Sequence, residues 1–163
     1  MSTGVYPVLI MSPETSPVSE AHLIVGFDDS PPAQRALDAA ARLLSVRPGR
    51  ITVVWVAHLT GTVELSADAI AIMESDFDEV ASELRSAAAQ RLEGSTVPWD
   101  FQRRQGPIAL ELIAAAKEIH DARPDDVVAI VVGSSSSAMH RRLVGSAAVN
   151  LARHSPVPLM IVP

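Results

Sequence analysis

Val127-Val128-Ala129-Ile130-Val131-Val132-Gly133-Ser134-Ser135-Ser136-Ser137, then Ala138 to Val144, then Gly145-Ser146: this stretch decides how the chain reads. Six apolar residues in a row suit a strand covered on both faces. The glycine and serines that follow suit a loop, and Gly145-Ser146 opens a helical stretch. Strand, small-residue loop and helix start together make an anion site, because the first N–H groups of a helix are unpaired and its dipole favours negative charge there. Phosphate is the natural guest. The same residue types also suit a plain loop, so the stretch by itself leaves both readings open.

Upstream the alternation repeats. Leu23 to Phe27 is a first buried strand, followed by Asp28-Asp29 and then Ser30 as N-cap, with Pro31 at the first helical position. Ala33, Ala36, Leu37, Ala40 and Leu44, spaced by three or four, form the inner face of that helix, and Pro48-Gly49 stops it. Ile51 to Val56 is a second buried strand. A linker through Thr60-Gly61-Thr62 leads to a long helix from Ser66 to Leu92, with Ile70, Met73, Phe77, Val80, Leu84 and Ala87 as its apolar stripe. Val97 to Arg103 alternates as an edge strand covered on one face would. Gly106-Pro107 starts a third helix, Ile108 to His120, and Pro124-Asp125-Asp126 turns into the strand quoted above. Gly145 to Arg153 is a short fourth helix, and Pro158 to Val162 a short last strand. Strands and helices in strict alternation predict a parallel sheet with helices on both faces. Ligands of such sheets sit beyond the C-terminal strand ends, where the winding reverses. Asp28 and the loop after Gly133 both lie at such ends.

The chain's 163 residues predict one domain, residues 21–163, behind a flexible arm, residues 1–20, that carries Pro7, Pro13 and Pro17. A net charge of −6 argues against a nucleic-acid surface. There is no cysteine, hence no disulfide and no thiol nucleophile. With neither a signal-peptide pattern nor an 18-residue apolar run, a soluble cytoplasmic protein without membrane contact is expected.

Five features, in order and at domain spacing, resemble the universal stress protein family from about Leu23 to Val162. These are Val25-Gly26-Phe27-Asp28-Asp29-Ser30; the Ala-rich helix after it; Gly106-Pro107; Val132-Gly133-Ser134 with Gly145-Ser146; and the ending Ser155-Pro156-Val157-Pro158-Leu159-Met160-Ile161-Val162. The resemblance implies a doubly wound, Rossmann-like α/β fold with a five-stranded parallel sheet in the order 3-2-1-4-5. It further implies a stress-response module that binds ATP or another adenine nucleotide, with or without Mg²⁺, and that pairs as a homodimer through the C-terminal strand. Carried over residue by residue, Asp28 is similar to the acid that meets the adenosine, and Val56 and Ala57 to the segment lining the adenine. Gly133, Ser134, Ser136, Gly145 and Ser146 are similar to the phosphate loop, with Ala147 next in the helix. Asp28 and Ser146 also suit purely local helix-capping roles. Nucleotide-binding members resemble a pattern of Gly, two residues, Gly, nine residues, Gly-Ser/Thr. Here Ser136 stands at the second glycine and eight residues, Ser137 to Val144, precede Gly145. Serine disfavours the positive φ that the glycine allows. Serine hydroxyls and His140, Arg141 and Arg142 are alternative anion contacts.

Other chemistries lack their residues. A phosphoacceptor receiver domain shares the acidic pair but needs an Asp after its third strand and a Lys after its fifth. The third strand here ends Gln102-Arg103-Arg104-Gln105, and the only lysine is Lys117. The P-loop motif is absent, as is the Gly-x-Ser-x-Gly elbow of a hydrolase. A flavin or electron-transfer module has the same winding but no supporting motif. His22, His58, His120, His140 and His154 show no close metal-ligand spacing. A nucleotide-responsive module with at most very slow ATP hydrolysis is expected. Its rival is a member that binds no nucleotide and acts as a dimeric protein-interaction module.

Overall fold

Along the chain strands and helices alternate: β1 (Ala21–Gly26), α1 (Pro31–Leu44), β2 (Gly49–Ala57), α2 (Ala67–Arg91), β3 (Trp99–Gln105), α3 (Ile108–Ala122), β4 (Val127–Gly133), α4 (Ser146–His154) and β5 (Leu159–Val162). The structure, a computed structural model, describes residues 19–58, 66–134 and 146–163. Nearly all of the arm expected over 1–20, the Thr60–Thr62 linker and the loop from Ser135 to Gly145 lie outside the described residues.

All strands are parallel, in the order β3-β2-β1-β4-β5. This is the doubly wound order that the family resemblance implied. Val25 of the central strand aligns with Val53 on one side and Val131 on the other. The period of two then sorts the strand residues into two cores. Leu23, Val25, Val53 and Val131 pack with Leu37 and Ala40 of α1 and Leu84 of α2. Ile24, Val54 and Ile130 pack on the other face with Leu112 of α3 and Leu151 of α4. Burying one such Leu or Ile is worth about 1.5–3 kcal/mol.

Helix α1 follows the sequence closely. Ser30 caps it through its side chain, Pro31 holds the first position, and its buried residues are Ala33, Ala36, Leu37, Ala40 and Leu44. Two other expectations need correction. The stripe of α2 is buried only toward its C-terminus, at Leu84 and Ala88, while Ile70 and Val80 are 44% and 39% exposed. The N-terminal half is held differently. Phe77 packs edge-on against Trp55 and lies under the Arg103 guanidinium, which pairs with Glu74 and Asp78. Strand β3 is an edge strand, as expected, yet it is partly covered on both faces. Its adjacent arginines point to opposite sides, Arg103 to α2 and Arg104 to Glu111 and Glu118 of α3. Alternation read as apolar against polar missed that long arginine stems also cover a sheet face.

Candidate functional site

Strand order 3-2-1-4-5 reverses its winding between β1 and β4, which opens a crevice at their C-terminal ends. A cleft of about 390 Å³ occupies that crevice. Its β1 wall is Gly26, Phe27 and Asp28; its β2 wall Val54, Trp55 and Val56; its β4 wall Val132 and Gly133. Three helix starts complete it, with Ser30, Pro32 and Ala33 of α1, Ile108 and Leu112 of α3, and Ala147 and Ala148 of α4. Among the described lining residues no side chain is basic, and Asp28 carries the only formal charge.

The local chain explains these placements. β1 ends in a sharp turn in which Asp29 takes φ 61°, the left-handed region that Asp tolerates better than most residues. Gln34 of α1 pins that residue, its side-chain amide donating to the Asp29 carbonyl at 3.0 Å and carboxylate at 2.9 Å. The exposed Asp28 lines the cleft and accepts the Ser30 N–H on Oδ1 at 3.0 Å. Asp28 therefore braces the turn before α1, while Ser30 is the cap proper, accepting the Ala33 N–H at 3.4 Å.

The three helix starts are not equivalent as anion sites. Pro31 and Pro32 have no N–H, and the next two donors of α1 are used, Ala33 by the cap and Gln34 by the Ser30 carbonyl at 2.9 Å. Helix α3 begins after Pro107 with no side-chain cap, so the first-turn N–H groups of Ile108, Ala109 and Leu110 are not capped. α4 brings its first turn to the same cleft through Ala147 and Ala148. Negative charge is thus favoured toward α3 and α4 and not toward α1.

Of the residues expected from sequence, Asp28, Val56, Gly133 and Ala147 come together in the cleft. Ala57 is buried just beyond it, its carbonyl accepting the Gly106 N–H at 3.1 Å. Ser134 faces a competing use, because its N–H donates to Val162 of β5 at 2.7 Å. Ser136 and Gly145 lie outside the described residues, and Ser146 is described only as the first residue of α4. Gly133 has a reason of its own to be glycine: a Cβ there would clash with the Pro32 carbonyl at the start of α1. Sequence reasoning missed Ile108 and Leu112 as cleft residues. The signal was present in Gly106-Pro107, which starts a helix at the C-terminal end of a strand and so points its N-terminus at the crevice. A second hollow of about 440 Å³ adjoins the cleft across Ile108 and Ala147.

Among the described residues no helix is long and apolar enough to cross a membrane, and no group of metal-binding side chains gathers. No match was found among curated proteins. Solved structures do match in fold. The universal stress protein UspA from Lactobacillus plantarum shares 17% identity at a TM-score of 0.68, over 89% of this chain and 99% of that one. A universal stress protein in complex with cAMP shares 20% at 0.58, over 89% and 98%. The universal stress protein from Archaeoglobus fulgidus in complex with dAMP shares 17% at 0.57, over 90% and 99%. The family model for universal stress proteins matches residues 21–163, and the chain belongs to that family.

Proposed function

We propose that this chain is a nucleotide-responsive stress module that takes ATP or another adenine nucleotide, with or without Mg²⁺, in the cleft between Asp28 and the start of α4. The observation that carries the reading is the polarity of the cleft. Apolar Val54, Val56 and Val132 suit a flat base, the Asp28 carboxylate suits a sugar hydroxyl, and the starts of α3 and α4 suit phosphate. The dAMP and cAMP complexes of fold relatives support an adenylate as the guest. With no basic side chain in the described lining, and with Ser136 and the shorter loop where a second glycine is usual, modest affinity is expected.

No described side chain in the cleft is paired as an activated nucleophile or a tuned base. The module works by binding, with hydrolysis at most far slower than the ~1 s⁻¹ of ordinary enzymes. It is a cytoplasmic homodimer in this reading, paired through β5, which among the described residues stands at the edge of the sheet, where free N–H and C=O groups invite another strand. Titration calorimetry and thermal shift with ATP, ADP, AMP and cyclic AMP, with and without Mg²⁺, test the proposal. Saturable heat with at least one adenylate is expected. Silence at millimolar concentration overturns it and leaves the dimeric interaction module.

A further inference from the structure

At the opposite end of the sheet, three polar side chains meet across three adjacent strands. His22 of β1 and Thr52 of β2 are 5% and 1% exposed, and Asp100 of β3 is half-buried. Parallel register sets His22 beside Arg50 and Thr52 beside Asp100, all on the face under α3. The Thr52 hydroxyl donates to Asp100 Oδ1 at 2.8 Å, because a carboxylate can only accept. Having spent its one proton, the Thr52 oxygen must accept from His22 Nε2–H, also at 2.8 Å. That fixes the tautomer: Nδ1 is the bare acceptor. Among the described residues it is buried with no hydrogen-bond partner, as is the Nε of Arg50.

We infer that this cluster is an acid-responsive latch. Neutral His22 ties β1 through Thr52 to Asp100, and a proton arriving at Nδ1 releases the N-terminal end of the sheet beneath the last turn of α3. The step is a simple protonation from solvent; no covalent bond breaks. It places a cation beside Arg50 with no hydrogen-bond acceptor for Nδ1 among the described residues, and a buried unpaired charge is strongly disfavoured. The charged groups facing His22 are Arg50 from β2, Asp100 from β3, and Arg123 and Asp126 from the turn after α3; β4 meets it with Val128. Burial first, then Arg50, hold the imidazole below its ordinary value, Arg123 adding to them and Asp100 and Asp126 opposing. The nucleotide cleft lies at the other end of a six-residue strand, roughly 20 Å away, so the latch bears on the stability of its own end.

The sign follows from linkage. Above the ordinary histidine value of 6.5 neither state holds the proton. As pH falls below that value the unfolded chain takes it up and the folded chain does not. The folded-to-unfolded ratio then drops by up to about tenfold per pH unit until the folded value is reached. Denaturant unfolding of the full chain and of His22→Gln between pH 7.5 and 5 tests this, since the amide can still donate to Thr52 but cannot titrate. The parent should lose up to about tenfold more in that ratio than the variant between pH 6.5 and 5.5. NMR of the ring protons should show His22 still neutral at the ordinary histidine value of 6.5, and Arg50→Met should raise its midpoint. Hydrogen exchange, corrected for intrinsic rates, should speed up at Ala21–Leu23 and Arg50–Thr52 at pH 5 and not at the cleft. His22 titrating at its ordinary value in the folded chain, equal acid sensitivity of parent and variant, or uniform loss of protection would each overturn the latch. If His22→Gln does not fold, the titrations of the parent and of Arg50→Met decide alone.

Discussion

Gly133→Ala tests whether the close approach of β4 to α1 shapes the cleft. A Cβ at this position would lie well inside contact distance of the Pro32 carbonyl and 2.6 Å from the Pro32 Cβ. Carbon atoms rest at about 3.5–4.0 Å, so the start of α1 must retreat by roughly 1 Å or β4 must bend. Neither moves freely. Pro31 and Pro32 have fixed φ, Ser30 caps the turn, and Gly133 is held in register with Val162. Overpacking of this kind costs about 1–3 kcal/mol, and backbone as the obstacle puts the expectation near the upper end. For a chain of this size that is a fall in Tm of about 6–12 °C. Urea unfolding followed by Trp55 and Trp99 fluorescence should give a lower midpoint at unchanged slope. Gly94→Ala is the control: its φ is +81° but nothing lies within 4 Å, so only the left-handed penalty of about 1–2 kcal/mol applies. If Gly133→Ala is as stable as the parent, or costs less than Gly94→Ala, the reasoning fails.

Three further outcomes are expected. Ala147→Leu projects bulk into the cleft from the half-buried first turn of α4; calorimetry should show adenylate binding weakened at least tenfold (about 1.4 kcal/mol) with Tm unchanged, and unaltered affinity would move the ligand elsewhere. Arg104→Gln strips the side-chain bonds to Glu111 and Glu118 and should cost about 1–2 kcal/mol. Arg104 holds the Glu118 carboxyl below its ordinary 4.5, so this contribution is present above that pH and is lost as pH falls through the lowered value. Urea midpoints of parent and variant should therefore converge in acid. Ile161→Asp puts a charge on the 38%-exposed residue of the edge strand. Light scattering at tens of micromolar should give a dimer for the parent and a monomer for the variant; a monomeric parent refutes pairing through β5.

Local chemistry alone determined much of this protein. Ser30-Pro31-Pro32 could only start a helix, because a hydroxyl cap and a donor-free first turn suit nothing else so well. The apolar run Val127 to Val132 had to be a strand covered on both faces. Alternating strands and helices then implied a parallel sheet, and the parallel sheet implied a crevice at its C-terminal ends. Four of the residues expected there, Asp28, Val56, Gly133 and Ala147, do line it. What sequence could not decide is which groups share a space or compete for one bond. The N–H of Ser134 reads as a phosphate donor until β5 takes it. Gly133 reads as a loop glycine until Pro32 packs against it. The periodic stripe of α2 is the same along its length, but whether a partner lies beneath each turn depends on where the neighbouring strands end. His22, at the start of a strand, gives no hint that Thr52 and Asp100, 30 and 78 residues away, will line up beside it. Period and capping act within a few residues, whereas close approach, burial and shared protons arise only when distant segments are brought into register.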